Sequence, residues 1–179
     1  RAMGEPMGYG VGMERLILLR HGKAERESAT GDDFARRLTE RGRRDAREAG
    51  QRLDDMGFGP DLCLVSAAAR TRDTWEALQP VCPDCAVRFE PDLYHAEAET
   101  VLRLARKAAA EARNLMVIGH NPGLHELVLR LLIEGGASAD LLNSARARFP
   151  TSAAAVFLFD GAGKPVFDGL LLPPRGGYD

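Results

Sequence analysis

Leu16-Ile17-Leu18-Leu19-Arg20-His21-Gly22 is the stretch that decides the fold. A strand with one wet face alternates apolar and polar residues. Four apolar residues in a row, stopped abruptly by Arg-His-Gly, instead suit a short strand covered on both faces, as in a parallel sheet. The sequence predicts this strand over 14–19, with Arg20, His21 and Gly22 at its carboxyl end.

Two further segments have the same form, 62–65 and 115–118, and a short strand is predicted at 86–89. Two more, at 153–159 and 166–170, close the chain around a turn at 161–165. Helical spacing fills the gaps. Thr39 can cap a helix running to Met56, with Ala46, Ala49, Leu53 and Met56 on one stripe and Gly57 as its stop. Other helices are expected at 68–78, at 98–112, and from Pro122 onward, where Leu124, Leu127, Val128, Leu131 and Leu132 form a wide apolar face. Residues 23–38 are polar and irregular and read as a loop. Strands alternating with helices predict an α/β three-layer sandwich, a mostly parallel central sheet with helices on both faces.

Composition narrows the function classes. The 179 residues are 45% hydrophobic and 28% charged, with a formal net charge of −2. This balance gives no general attraction to nucleic acid or to an anionic membrane. There is no apolar run long enough to span a bilayer. Arg1 to Gly12 show no periodicity and are expected to be an expression scar or loose leader, with 13–179 as one domain. Nothing resembles an export signal, so the cytoplasm is the expected compartment. Cys63, Cys82 and Cys85 are an odd number, which argues against a secreted disulfide framework, and Cys82-Pro-Asp-Cys85 has no second ligand pair for zinc, so these read as loop cysteines. No metal and no cofactor is expected.

In open α/β sheets ligands bind beyond the carboxyl ends of the strands. Three segments put polar groups there: Arg20-His21-Gly22, then Ser66 with Arg70 and Thr71, then His120-Asn121-Pro122-Gly123. Two arginines offer planar donor forks that match phosphate oxygens. Backbone N–H groups near Asn121 and Gly123, at a helix start, add donors for an anion. A neutral imidazole in such a pocket can attack phosphorus.

At these residues the chain resembles the histidine phosphatase superfamily, also called phosphoglycerate mutase-like. Leu19-Arg20-His21-Gly22 matches its opening motif. Ser66-Ala67-Ala68-Ala69-Arg70-Thr71-Arg72-Asp73-Thr74 resembles the second, with Ala67 where Pro is usual, and Gly119-His120-Asn121-Pro122-Gly123 resembles the third. Lys23-Ala24-Glu25, Leu38-Thr39-Glu40-Arg41-Gly42, Leu93-Tyr94-His95-Ala96 and Pro150-Thr151-Ser152-Ala153 resemble the small SixA-type phosphohistidine phosphatases. The likeness spans 14–172. It implies the phosphoglycerate mutase-like fold. It also implies that His21 is the nucleophile, that Arg20, Arg70 and His120 bind the transferred phosphoryl group, and that a phosphohistidine intermediate forms and is hydrolysed by water.

Larger members carry a general acid on a segment inserted between the second and third motifs. Only 50 positions separate Arg70 from His120, so a shallow, open site is expected. His95, Glu97 and Glu99 are the candidate acids, with Glu97 preferred, although each also reads as a solvated group near a helix start. Lys23 and Glu25 line the pocket mouth or are solvated, and His125 is read as structural or exposed. The cluster Arg36, Arg37, Arg41, Arg43, Arg44 and Arg47 could dock an acidic partner. Interleaved Glu40, Asp45 and Glu48 favour an ordinary ion-paired helix face. The expected substrate is phosphohistidine in a protein such as a phosphotransfer domain. The alternatives are a small phosphorylated metabolite, a mutase, or a non-catalytic phosphate-binding module.

Overall fold

The structure, a computed structural model, describes residues 12–174. The leader expected over 1–12 therefore lies, apart from Gly12, outside the described residues.

Among the described residues six strands form one sheet: β1 (Arg15–Arg20), β2 (Leu62–Ser66), β3 (Ala86–Glu90), β4 (Asn114–Gly119), β5 (Ala154–Phe159) and β6 (Pro165–Leu171). Their order is β3-β2-β4-β1-β5-β6. The first four in that order run parallel, β5 runs antiparallel to β1, and β6 runs antiparallel to β5 and so in the direction of β1. Five α-helices among the described residues cover the sheet: α1 (Glu40–Asp55), α2 (Ala69–Leu78), α3 (Ala98–Ala108), α4 (Gly123–Glu134) and α5 (Ala139–Ala147).

The apolar run of β1 works as its composition demands. Leu16 and Leu18 face a core shared with α3, α4 and α5, whereas Ile17 and Leu19 face a second core with α1 and α2. All four are fully buried, each contributing about 2 kcal/mol of apolar burial. Thr39 caps α1, its hydroxyl accepting from Gly42 N at 2.9 Å. The basic face of α1 is ion-paired: Arg41 with Asp45, Arg44 with Glu40, and Arg43 with buried Asp73.

Three details differ from the sequence reading. Helix α3 stops at Ala108, because the chain turns through 109–112 to enter β4. Pro122 sits in the cap position before α4, after a cis Asn121–Pro122 peptide. Helix α5 was not expected. Among its residues only Ala145 is buried, so it shows little apolar periodicity, but Ser138 caps it by accepting from Leu141 N.

Candidate active site

The register of β1 on β4 pairs Arg20 with Gly119. His21 and His120 are the next residues on adjacent strands, and their rings lie 5.2 Å apart. β2 lies on the other side of β4 and brings Ser66 to the same end. Nε2 of His120 is 2.7 Å from Ser66 Oγ. Arg70 follows in the first turn of α2, nearly buried. The structure thus brings His21, Arg20, Arg70 and His120 to one end of the sheet.

Backbone contacts fix the nucleophile candidate. Nδ1 of His21 lies 2.7 Å from the Gly22 carbonyl. A carbonyl only accepts, so Nδ1 carries the proton and the ring's lone pair is on Nε2. Gly22 N donates to Thr74 Oγ1 at 3.0 Å, and that hydroxyl donates to the Arg70 carbonyl. Ser152, in the left-handed region at φ 61°, points its N–H at the carbonyls of both Arg20 and His21. Gly22 and Gly42 are in close backbone contact. A Cβ on Gly22 would meet the Gly42 carbonyl at 2.5 Å, and one on Gly42 would meet the Lys23 carbonyl at 2.1 Å. Only glycines let α1 seat against the loop that carries His21.

Burial, with smaller contributions from His21, Arg70 and His95, pushes the His120 imidazole down to about 2. It is therefore a neutral ring. Its buried Nδ1 has no hydrogen-bond partner among the described residues. Such an atom is a candidate ligand contact.

The loop 22–39 supplies what the sequence reading missed. Asp33 accepts from Tyr94 Oη at 2.5 Å, and Arg70 donates to its carbonyl at 2.9 Å and its carboxylate at 3.2 Å. The Tyr94 hydroxyl, helped by Arg36 and Arg70, holds the Asp33 carboxyl below the usual carboxylate range despite partial burial. Burial and Asp33 push the Tyr94 phenol up. Phe34 meets Tyr94 edge-on. Asp73, in the second motif, anchors the far end of this loop by accepting from Arg37 and Leu38 N. The span between Arg70 and His120 holds the rest of α2, then β3, α3 and β4, with two single-turn 3-10 helices at Gln79–Val81 and Pro91–Leu93. His21 and His120 themselves are largely enclosed, at 8% and 6% exposed.

The remaining candidates scatter. The Asn121 side chain donates to the Phe149 carbonyl at 2.8 Å, the same carbonyl that accepts from Arg20 at 3.2 Å. It therefore shares an acceptor with Arg20, which spends one of the two N–H donors of its amide. Glu97 is exposed at the cap position of α3 and makes no side-chain hydrogen bond or ion pair among the described residues. Glu99 is tied to Arg130 at 2.6 Å. His95 does reach the site: its ring is 3.9 Å from that of Tyr94 and 6.5 Å from that of His120. Glu25 is exposed, and Lys23 contributes its carbonyl to Thr39. His125 holds the Ala145 carbonyl at 2.6 Å and stacks on Phe149. Cys63 is buried in β2, and burial pushes its thiol up.

Several known proteins resemble this chain in sequence and fold. An uncharacterised chloroplastic protein of Arabidopsis thaliana is 31% identical over 89% of this chain and 78% of its own. A protein of Agrobacterium tumefaciens assigned as the phosphohistidine phosphatase SixA superposes with a TM-score of 0.79 at 31% identity, over 90% of this chain and 99% of that one. A counterpart from Nakamurella multipartitia gives 0.77 at 27% identity, over 93% and 99%. The family profile for the histidine phosphatase superfamily, branch 1, matches residues 16–114. The chain belongs to branch 1 of the histidine phosphatase superfamily.

Proposed function

We propose that this phosphatase removes phosphoryl groups from phosphohistidine in a protein, with His21 as the nucleophile. The observation that carries the reading is the His21–Gly22 contact, which leaves the imidazole lone pair on Nε2 of a ring 5.2 Å from that of His120, at the sheet end that also holds Arg20 and Arg70.

In this reading Nε2 of His21 attacks phosphorus and the P–N bond to the substrate imidazole breaks. Arg20 and Arg70 neutralise the equatorial oxygens, the main demand of phosphoryl transfer. His120 donates from Nδ1 while Nε2 accepts from the Ser66 hydroxyl. Water then attacks phospho-His21, phosphate leaves, and the electron pair returns to Nε2.

The likeness to the Agrobacterium protein supports phosphohistidine as the substrate class. An open groove lined by Ala69, Arg72, Asp73, Trp75 and Phe89 adjoins Arg70 and offers a protein substrate a place to lie. A mutase must keep its intermediate between transfers, which the short span from Arg70 to His120 does not favour. The test offers the purified chain phosphohistidine protein, phosphoserine peptide and small phosphomonoesters. Preference for phosphohistidine, lost in His21→Ala, is expected. Clear preference for a sugar phosphate would overturn the substrate assignment.

A further inference from the structure

Breaking the bond to the substrate leaves an electron pair on the departing nitrogen or oxygen, and that atom needs a proton. The floor of the pocket cannot supply it. Arginine does not release protons at working pH, His21 is engaged on phosphorus, and His120 is neutral because it is buried. Asp33 is ionised and already accepts from Tyr94. Glu97 stands in solvent and Glu99 is held by Arg130.

We infer that His95 is the general acid of the first step, with Asp33 as the residue that positions it; this rests on the phosphatase reading above. Three features place it. Nε2 of His95 is 3.7 Å from Asp33 Oδ2, a partner suited to an imidazolium. Its ring lies against Tyr94 on one side and borders His120. Its backbone is held in the left-handed region at φ 56°, where histidine is one of the few non-glycine residues found, and such positions gather at functional sites. In an in-line transfer the phosphoryl group separates nucleophile from acid. His21 and His95 both border His120, at 5.2 and 6.5 Å between ring centres, without standing in each other's place. The His95 side chain is 67% exposed, so a leaving group can reach it and solvent can restore its proton.

The step balances. The His21 Nε2 lone pair forms the new P–N bond as the old one breaks. The departing substrate atom takes the proton from the His95 imidazolium, which becomes neutral. In the second step water adds to phosphorus and gives a proton to His95, while the pair of the second P–N bond returns to His21.

The signature is dependence on the leaving group. We would compare the wild type with His95→Asn, since Asn also tolerates a left-handed backbone. The readout is kcat/KM, which reports the first step alone, on 4-nitrophenyl phosphate, phenyl phosphate and a phosphohistidine protein. The nitrophenolate departs unaided and should change less than about threefold. The other two should fall about 100-fold, within the range of acid catalysis. Imidazole added to His95→Gly should restore activity on phenyl phosphate. Equal loss on all substrates, no loss on any, or no rescue overturns the assignment. A wild type that cleaves the aryl esters but not phosphohistidine overturns the substrate reading alone, and the aryl pair still decides on His95.

Discussion

The Ser66 hydroxyl, fully buried, lies 2.7 Å from Nε2 of His120. It settles which of that ring's nitrogens is left to meet a ligand. Phosphoryl oxygens only accept, so the useful tautomer has the proton on Nδ1 and takes a hydrogen bond from Ser66 at Nε2. Ser66→Ala should lower kcat about tenfold, equivalent to about 1.4 kcal/mol, with KM nearly unchanged. It should also cost about 1–3 kcal/mol of stability, because Nε2 is left buried without a partner. Steady-state kinetics and urea denaturation check both. A kcat within twofold of wild type would refute the positioning role.

His120 also predicts a pH dependence of folding. Its folded value is depressed to about 2 from an ordinary 6.5, so between these values the unfolded chain binds the extra proton. Its effect is absent above pH 6.5, and stability is lost as pH falls below that, at up to about 1.4 kcal/mol per pH unit. Going from pH 7 to pH 5, wild type should lose about 2 kcal/mol more than His120→Asn. Denaturant titrations at the two pH values measure this. Equal losses would contradict the buried neutral ring.

Arg70 is held by both the carbonyl and the carboxylate of Asp33. Lysine keeps the charge but loses the planar fork. Arg70→Lys should therefore lower kcat about 100-fold, the scale of losing one transition-state donor, while circular dichroism stays unchanged. Activity near wild type would show that charge alone suffices.

Gly42 tests the seat of α1. Alanine in a helix should gain about 0.5–1 kcal/mol over glycine. Here its Cβ would meet the Lys23 carbonyl at 2.1 Å, and a forced backbone shift costs about 1–3 kcal/mol. The clash wins. Gly42→Ala should lower the melting temperature and also depress kcat, because the displaced segment leads straight to His21. A raised melting temperature would show that the loop yields freely.

Much of this was legible in the chain. The uninterrupted run Leu16 to Leu19 is buried on both faces, as an unalternating run must be. Arg20 and Ser66 end strands, and His21 and His120 follow strands directly, so finding the strands nearly found the cluster. What escaped was set by long-range contact. Asp33 matters because Tyr94, 61 residues away, and Arg70, 37 away, close on it. No local pattern in a polar loop announces that. Glu97 was preferred as the acid because carboxylates are usual there. The chain instead directs Glu97 outward at a helix cap and turns His95 toward His120. Helix α5 was invisible to apolar periodicity, and only its cap residue Ser138 signalled it.

The Phe149 carbonyl, shared by Arg20 and Asn121, carries a consequence beyond the pocket. Phe149 lies just past α5 and stacks on His125, which in turn grips the Ala145 carbonyl of that helix. The guanidinium at the pocket thus inherits its position from a surface helix that contributes no side chain to it. Substitutions drifting into 139–149 would look neutral to anyone scanning pocket residues alone, yet selection on turnover would prune them. Diversity among relatives should be narrower along this helix than its solvent exposure suggests.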